Sequence, residues 1–265
     1  SLLSNQDDFQ FNVVTMPGLN QSQHSTEVAQ LINMCQERGD AIAVVDLAPI
    51  NSTLLTYTGE AAELNSSYAA SYAPWLRVSD PGTGQLIWVP ASTVIPGVYA
   101  FNDRVAEPWF APAGLNRGGL STVIKPERKY TQSNRDTLYV GKVNPIASFP
   151  NAGTVVFGQK TLQTKASALD RVNVRRLLIA LKGFISQVSD NLVFEQNSAA
   201  TRNQFLGSVN PYLESVQQRQ GLYAFKVVMD DSNNTPDVID RNQLVGAIYL
   251  QPTKTAEFII LDFNV

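Results

Sequence analysis

The stretch FQFNVVTMPGLNQSQHSTEVAQLINMCQERGDAIAVVDL, residues 9–47, decides the architecture of the first part of the chain. Residues 9–16 are rich in β-forming side chains and predict a strand, which Pro17 and Gly18 are expected to end. Residues 41–47 form a continuous apolar run, which is typical of a strand buried on both faces. A helix between two such strands favours a parallel β-α-β unit.

The helix of this unit is predicted from its ends and its spacing. Ser25 or Thr26 is expected to cap its first turn, and Gly39 predicts the left-handed residue that ends it. Apolar side chains recur at i, i+3, i+4 and i+7 and form one stripe, which consists of Val28, Leu31, Ile32 and Cys35. Cys35 is the only cysteine. Its place on the stripe favours core packing over reactivity and excludes an internal disulfide.

The middle of the chain is less regular. Residues 70–78 and 85–89 predict two strands around a turn at residues 80–84. A helix is expected at residues 93–105, with Pro96 near its start because proline is tolerated only in the first turn. A further short strand is predicted at residues 154–157.

The pattern changes at about residue 160. Residues 170–188 and 199–220 predict two amphipathic helices, and Pro211 in the second predicts a kink or a break. Three strands are expected after them, at residues 223–229, 244–250 and 257–265. The order of elements therefore indicates an α/β domain at residues 1–159 followed by an α+β domain at residues 160–265.

Composition argues against several kinds of chemistry. The chain has 265 residues and a net charge of -3, which gives no overall bias towards nucleic acid or acidic membranes. No run reaches the ~20 apolar residues of a membrane-spanning helix, so direct membrane insertion is not expected. A single histidine and a single cysteine cannot build a structural zinc site. His24 is expected to be a surface or capping residue rather than a general base. We therefore expect no catalytic, metal-binding or cofactor-binding residues.

Two polar loops resemble ligand sites only in part. Residues 230–237 are acidic, but they lack the central glycine and the final glutamate of an EF-hand loop, so an ordinary turn is favoured over a calcium site. Residues 116–119, Asn-Arg-Gly-Gly, lack the Gly-Lys-Ser/Thr of a phosphate-binding loop. Their glycines are expected to serve backbone geometry.

Three cations line one flank of the helix predicted at residues 170–188: Arg171, Arg175 and Lys182. By pattern alone they form either a solvated flank, which is the commoner case, or a contact surface for an acidic partner.

The last nine residues form a strong strand pattern: Glu257, Phe258, Ile259, Ile260, Leu261, Asp262, Phe263, Asn264 and Val265. A terminal strand this apolar is an aggregation hazard unless its edges are paired. The pattern leaves two alternatives open, which are pairing within its own sheet and addition to the sheet of a neighbouring subunit.

Four segments of the chain carry motifs that become informative when they are taken together. Residues 109–118 read W-x-A-P-A-G-x-x-R-G, and residues 153–162 are similar to G-x-V-x-x-G-x-x-T-L. Residues 172–178 contain V-N-V-R-R-L, and residues 194–197 read F-E-x-N. Each motif alone is weak, but the four in this order, over roughly the last two-thirds of the chain, resemble signatures of the tail sheath proteins of contractile phage tails and related contractile injection systems.

The resemblance implies a non-enzymatic structural subunit that polymerises helically around an inner tube and contracts to drive it through a target envelope. It implies that residues 1–159 are similar to a subtilisin-type α/β fold without a catalytic triad, and that residues 160–265 are the sheath C-terminal domain. The implied partners are other copies of the chain, the tube protein, the baseplate and the tail terminator, but no nucleic acid. The implied location is the virion tail, assembled in the cytoplasm of the bacterial host.

For the candidate sites, the resemblance implies strand exchange by residues 257–265 and a tube-facing role for Arg171, Arg175 and Lys182. The rival hypotheses are a monomeric α/β hydrolase-like enzyme and a monomeric binding module. The missing initiator methionine, and the lack of an obvious arm before Phe9, favour a chain cut from a longer protein.

Overall fold

A computed structural model describes residues 2–258, and the chain divides into two compact units, Ser1–Ala180 and Leu181–Val265. The last seven residues of the predicted terminal strand, 259–265, lie outside the described residues. Glu257 and Phe258, its first two residues, lie in irregular backbone.

The first unit alternates strands and helices along the chain. Its strands are β1 (Val13–Asn20), β2 (Ile42–Asp46), β3 (Ala69–Ala73), β4 (Leu76–Ser79), β5 (Leu86–Val89), β6 (Val123–Pro126), β7 (Asn144–Phe149) and β8 (Gly153–Val156). Its helices are α1 (Ser25–Arg38), α2 (Leu54–Ala62), α3 (Ile95–Val105), α4 (Gly114–Arg117) and α5 (Gln132–Val140), with 3-10 turns at Leu2–Ser4, Ala91–Thr93 and Ala168–Asp170. A longer helix, α6 (Val172–Asp190), begins in this unit and crosses the division at residue 180.

The centre of this unit is a five-stranded sheet in the order β1-β2-β3-β7-β8. The first four strands are parallel, and β8 pairs antiparallel with β7. The predicted parallel β-α-β unit is therefore confirmed. Every residue of β2 is buried, as its apolar run predicts. Alternate side chains of β2 enter two apolar clusters, Ala43 and Val45 with α1, α2 and α5, and Ile42 and Val44 with α3 and α6.

Strand β1 differs from its prediction, because it continues through Pro17 and Gly18 to Asn20. Its parallel register with β2 shifts between Thr15 and Asn20, so the extra residues form a bulge. Gly18 takes a φ of 96°, and Pro17 lies within the bulge of an edge strand, where a proline is tolerated because no ladder bond to β2 is required of it.

Helix α1 confirms the predicted stripe, since Val28, Leu31, Ile32 and Cys35 are all buried. It ends at Gly39, which has a φ of 69° and donates its N–H to the Cys35 carbonyl at 2.8 Å. The predicted caps are wrong, because Ser25 and Thr26 lie inside the first turn and His24 occupies the N-cap. Burial raises the pKa of the Cys35 thiol to about 12, which keeps it protonated and unreactive.

A second sheet of three strands, in the order β5-β4-β6, accounts for the predicted hairpin. The turn at residues 80–84 is confirmed, with Gly84 at a φ of 70°. The single strand predicted at residues 70–78 is wrong. Pro74 and Trp75 divide it into β3 in the large sheet and β4 in the small one. Pro74 has no N–H to donate to a continuous ladder.

The second unit contains α7 (Ala199–Gln218), β9 (Leu222–Val228), α8 (Pro236–Asp240) and β10 (Ala247–Pro252). Ser198 caps α7 by accepting a bond from the Thr201 N–H. Helix α7 continues through Pro211, so of the predicted kink or break, the break does not occur. Its buried face consists of Phe205, Val209, Leu213 and Val216.

Strands β9 and β10 pair antiparallel, with Tyr249 opposite Lys226 and Leu250 opposite Phe225. The two strands predicted at residues 223–229 and 244–250 are confirmed with small shifts at their ends. Helix α7 packs against β9. The two strands form the complete sheet within the described part of this unit.

Candidate assembly interface

The loop at residues 109–118, which carries the W-x-A-P-A-G-x-x-R-G motif, is held by hydrogen bonds from α3 and α6. Asn102 of α3 donates its amide to the carbonyls of Glu107 and Phe110, at 3.0 and 3.3 Å. Asn173 of α6 donates to the carbonyl of Trp109 at 3.2 Å, and Trp109 itself is buried. These bonds satisfy backbone groups that a buried loop would otherwise leave unpaired.

Of the two glycines predicted to serve backbone geometry, Gly118 does so, whereas an added Cβ on Gly119 would meet nothing within 4 Å beyond its chain neighbours. A Cβ atom on Gly118 would lie 2.7 Å from the Val156 carbonyl oxygen and 2.8 Å from backbone atoms of Gly114. The Gly118 carbonyl accepts the Val156 N–H at 2.7 Å, which joins the loop to β8. Arg117 donates its Nε to the Ala111 carbonyl at 3.1 Å and lies over the Phe110 ring. The loop is therefore a packing element of the first unit, with its cation bonded to its own backbone.

The three predicted tube-facing cations lie in different surroundings. Arg171 is half-buried and forms an ion pair with Asp170 at 2.9 Å. Arg175 is 6% exposed, and Lys182 is exposed. Their contact with a tube stays a prediction.

Arg175 is held inside its own unit. Its guanidinium donates to the Ser67 hydroxyl and lies 3.9 Å from the centre of the Tyr68 ring. Burial away from water lowers its pKa. This residue therefore contributes to packing around the start of α6, and Lys182 offers the most accessible charge of the stripe.

Sequence reasoning missed Arg176, which forms the neighbouring anchor. It pairs with Asp103 of α3 at 2.5 Å and lies 4.6 Å from the centre of the Tyr99 ring. The sequence shows two adjacent arginines in this helix, but helical spacing alone does not show that both of them are buried.

Asp46 and Ser92 form the pair that comes nearest to a catalytic arrangement. The Ser92 hydroxyl donates to one carboxylate oxygen of Asp46, and the Ser92 N–H donates to the other at 3.2 Å. Burial raises the pKa of Asp46 to about 6, although both bonds from Ser92 oppose the rise. Both residues are buried, so the hydroxyl does not face a substrate. His24 accepts the Asn20 N–H through its Nδ1 at 3.4 Å at the start of α1.

The acidic loop at residues 230–237 forms a turn, as favoured. Asp230 accepts bonds from the Ser232 N–H at 2.8 Å and from the Ser232 hydroxyl, and these bonds lower its pKa. Asn234 is buried and donates to the Val245 carbonyl at 2.8 Å. Among the described residues, no three His, Cys, Asp or Glu side chains group as metal ligands.

The two-stranded sheet of the second unit is the part of the structure that bears on the predicted strand exchange. Within residues 2–258, the outer edges of β9 and β10 meet no third strand. Thr253 follows β10 and donates its hydroxyl to the Gln220 carbonyl at 2.7 Å, which fixes the direction in which the chain leaves the sheet. Phe258 is 79% exposed. Two strands alone are marginally stable in water, and unpaired edges accept further strands.

No helix in the described part of the chain is long and apolar enough to cross a membrane.

Comparison with protein families matches both parts of the chain. Residues 1–162 match the phage tail sheath protein central domain, and residues 164–265 match the phage tail sheath C-terminal domain. The junction lies close to the predicted boundary at 159/160, whereas the compact units divide at 180/181, inside α6.

Curated relatives include two phage tail sheath proteins. The protein of Vibrio phage KVP40 is 42% identical over 176 residues, which are 66% of this chain and 26% of that protein. The protein of Enterobacteria phage T4 is 37% identical over 221 residues, which are 83% of this chain and 34% of that protein. The chain therefore spans about a quarter to a third of the length of these relatives.

Solved structures show the same fold. The contracted sheath complex of an extracellular contractile injection system, PVC, is 28% identical with a TM-score of 0.83, over 97% of this chain and 71% of that one. The baseplate structure of the anti-feeding prophage contains a chain that is 24% identical with a TM-score of 0.80, over 97% of this chain and 70% of that one. With both of its domains matched and its fold shared, the chain belongs to the phage tail sheath protein family.

Proposed function

We propose that the protein carrying this chain is the structural subunit of a contractile tail sheath. The observation that carries the proposal is the match of both parts of the chain to sheath domains, together with a TM-score of 0.83 to a subunit of a contracted sheath complex. Subunits joined by head-to-tail contacts that do not close form helical arrays. Contraction requires two packings of the same subunit, with the extended array at higher free energy than the contracted one.

Strand exchange joins the subunits in this proposal. Residues 257–265 of one copy add to the sheet of a neighbouring copy, where β9 and β10 offer open edges within the described residues. Backbone pairing of this kind tolerates rotation of the rigid units, because the connecting residues absorb the movement. Shared strands thus keep the array connected while the units slide.

The tube contact involves the exposed flank of α6 in this proposal. Lys182 supplies an accessible charge for acidic groups on the tube, with Arg171 beside its Asp170 partner and Arg175 supporting the helix from within. Exposed ion pairs suit a contact that must break on contraction, since each contributes only about 0–1 kcal/mol.

The further partners in this proposal are the baseplate and the tail terminator, which meet the two ends of the sheath. Assembly takes place in the cytoplasm of the host bacterium, and the product resides in the virion tail or in a related injection particle. The baseplate assignment is supported by the similarity to a chain in the anti-feeding prophage baseplate structure.

We further propose that the first unit has a subtilisin-type architecture without enzymatic activity. The parallel strands β1, β2, β3 and β7, with helices on both faces, support the architecture. The hydrolase hypothesis loses support because Ser92 is buried against Asp46 and His24 accepts a backbone N–H at a helix start.

Assembly of the full-length protein tests this function. Purified protein at rising concentration, examined by negative-stain microscopy, is expected to form rings or tubes. A monodisperse small particle at every concentration, with or without the tube protein, would contradict the proposal and favour a monomeric enzyme or binding module.

Strand exchange is tested separately, by a variant that removes backbone N–H donors from the terminal segment. Adjacent backbone N–H groups point to opposite edges of a strand, so Ile259→Pro with Ile260→Pro removes a donor on either edge. We expect this double variant to stay folded and lose assembly, while Ile259→Val with Ile260→Val assembles normally. Normal tubes from the proline variant would refute strand exchange.

For the tube contact, Lys182→Glu is expected to weaken co-assembly with the tube, and unchanged tube binding would refute that assignment.

A further inference from the structure

Positive charge collects where β6 leads into α5. Arg128 and Lys129 are both exposed there, and so is Lys125 in β6. Within residues 2–258, neither Arg128 nor Lys129 forms an ion pair or a side-chain hydrogen bond. The acid next to them, Glu127, is bound elsewhere, because its carboxylate accepts the Asn51 N–H at 2.7 Å. We call Arg128 and Lys129 the basic surface.

The basic surface is fixed at the carboxyl end of the parallel sheet. Glu127 donates its N–H to the Trp75 carbonyl at 2.8 Å, and the Trp75 indole N–H donates to the Ala48 carbonyl at 3.0 Å. Ala48 lies just after the last residue of β2. Tyr130, which follows the two cations, is buried in the core. The cations are therefore held on both sides and presented beyond the ends of the strands.

Negative charge collects at the opposite, amino end of the same sheet. Arg38, the last residue of α1, donates to three backbone carbonyls, those of Leu3, Asn5 and Phe9, at 2.6, 3.2 and 2.7 Å. Because α1 ends just before β2 begins, these bonds hold residues 3–9 at the amino end of the strands. We call the exposed carboxylates at this end the acidic surface, which consists of Asp7, Asp8 and Glu37.

Little in the surrounding sequence balances the acidic surface. Residues 1–75 contain eight Asp or Glu residues and a single Lys or Arg, which is Arg38. Arg38 is buried and paired with Asp40 at 2.9 Å, so it offers no charge to the exposed carboxylates. Glu37 also lies in the last turn of α1, where the helix dipole favours a cation over a carboxylate. An arrangement this unfavourable is expected where a partner supplies the compensation.

We propose that the basic surface of one copy binds the acidic surface of a neighbouring copy. The inference rests on the proposed self-assembly and names one of its contacts. The two surfaces cannot pair within one copy, because β2 alone separates them by about 16 Å, at about 3.3 Å for each of its five residues. The charges of an ion pair lie within about 4 Å of each other.

A second copy is the occupant that the charges favour. Oppositely charged surfaces at the two ends of one unit form a heterologous contact, which repeats from copy to copy and builds an open array. Complementary charges also fix the register of a contact and disfavour alternatives that bring like charges together. The chain thus carries both halves of the contact, and each is placed where only another copy can reach it.

The first test reverses the basic surface in the full-length protein. Arg128→Glu with Lys129→Glu is expected to raise the concentration needed for sheath assembly by about tenfold or more, because acids would then face acids. The unfolding midpoint is expected to stay unchanged, since both side chains are exposed. Arg104→Glu with Lys165→Glu is the matched control, which changes the net charge equally at exposed residues elsewhere and is expected to assemble like the parent protein.

The second test reverses the acidic surface. Asp7→Lys with Glu37→Lys is expected to raise the assembly concentration by a similar factor, with an unchanged or higher unfolding midpoint because a lysine suits the end of α1. Combining the reversals of both surfaces exchanges their charges, so the combined variant is expected to assemble again near the parent concentration. This recovery would show that the two surfaces meet, which a structural role of either one would not produce.

Three results would overturn the proposal. The first is a combined variant that assembles no better than the two single-surface reversals. The second is assembly of either single-surface reversal at the parent concentration. The third is a basic-surface reversal that forms normal sheaths but no longer binds the tube, which would assign these cations to the tube. If the parent protein itself never assembles, the proposed function fails, and this contact fails with it.

Discussion

The two units bury their sheets to very different extents. In the first unit, every residue of β2 and β3 is buried between helices on both faces of a five-stranded sheet. In the second unit, β9 and β10 form a sheet of only two described strands, and Tyr223 and Tyr249 are exposed on it. The comparison indicates that the first unit is stabilised by its own core, whereas the second leaves more of its sheet exposed within the described residues.

Core substitutions in the two sheets test this comparison with the largest expected effect. Ile42→Ala in β2 is expected to lower the free energy of unfolding by about 2–5 kcal/mol, because it leaves a cavity in a fully buried layer. Ile248→Ala in the half-buried β10 is expected to cost about 1 kcal/mol in the unassembled protein. Urea unfolding of the two variants measures the difference. Equal losses would show that both sheets depend on their own cores to the same degree.

The buried carboxyl group of Asp46 gives the next largest expected effect, which is a pH dependence of the stability. The pKa of Asp46 is raised from 3.8 to about 6, so the folded state binds its proton more tightly than the unfolded state. This contribution to stability is fully present below pH 4 and is lost as the pH rises through 6. It amounts to about 2–3 kcal/mol at 1.36 kcal/mol for each pKa unit.

Asp46→Asn removes this titration while keeping an acceptor for the Ser92 N–H and a donor for its hydroxyl. We therefore expect the stability of the parent protein, relative to the variant, to fall between pH 4 and 6.5 and to stay level above it. Urea unfolding at several pH values measures this. A constant difference across that range would show that Asp46 has an ordinary pKa.

Close backbone packing in the first unit is tested by a pair of neighbouring glycines. Gly118→Ala would place a methyl group 2.7 Å from the Val156 carbonyl, and we expect a loss of about 1–3 kcal/mol. Gly119→Ala is the matched control, because no atom of the described residues beyond its chain neighbours lies within 4 Å of its added Cβ. Thermal unfolding of both variants checks the expectation, which would be wrong if their midpoints shifted equally.

The smallest expected effect is the difference in stability cost between substitutions of two cations on α6. Arg175→Ala is expected to cost about 1–2 kcal/mol, because it removes a buried bond to Ser67 and the contact with Tyr68. Lys182→Ala, at an exposed site, should stay within about 0.5 kcal/mol. Chemical unfolding again provides the measurement. If Arg175→Ala left the free energy of unfolding unchanged, Arg175 would again be a candidate for the tube contact.

Much of the fold could be predicted from the spacing of apolar residues combined with residues that begin or end helices. Helix α1, with its stripe and Gly39, and strand β2, with its apolar run, follow from these local rules. Helix α5 was missed because its one buried side chain is Leu138 and its signal is a capping box between Thr131 and Asn134. Strand β1 was ended too early, because an edge strand tolerates a bulge at Pro17 and Gly18 that the same residues in a central strand would not.

The candidate surfaces were less predictable, because an apolar side chain looks the same in sequence whether it is buried or exposed. Phe194 was recognised only as part of a motif, whereas the structure leaves its side chain fully exposed. The three-cation stripe was predicted as one surface, but Arg175 turns inward to Tyr68 while Lys182 faces solvent. Three-dimensional packing decides between such alternatives, and helical spacing alone does not.

Cryo-electron microscopy of the sheath assembled from the full-length protein tests the central claim most directly, because it traces which copy supplies each strand. The result we expect is density for residues 257–265 hydrogen-bonded along an edge of the β9–β10 sheet of a different copy. The contrary result is a terminal segment that pairs within its own copy, with the edges of β9 and β10 left open in the assembled particle.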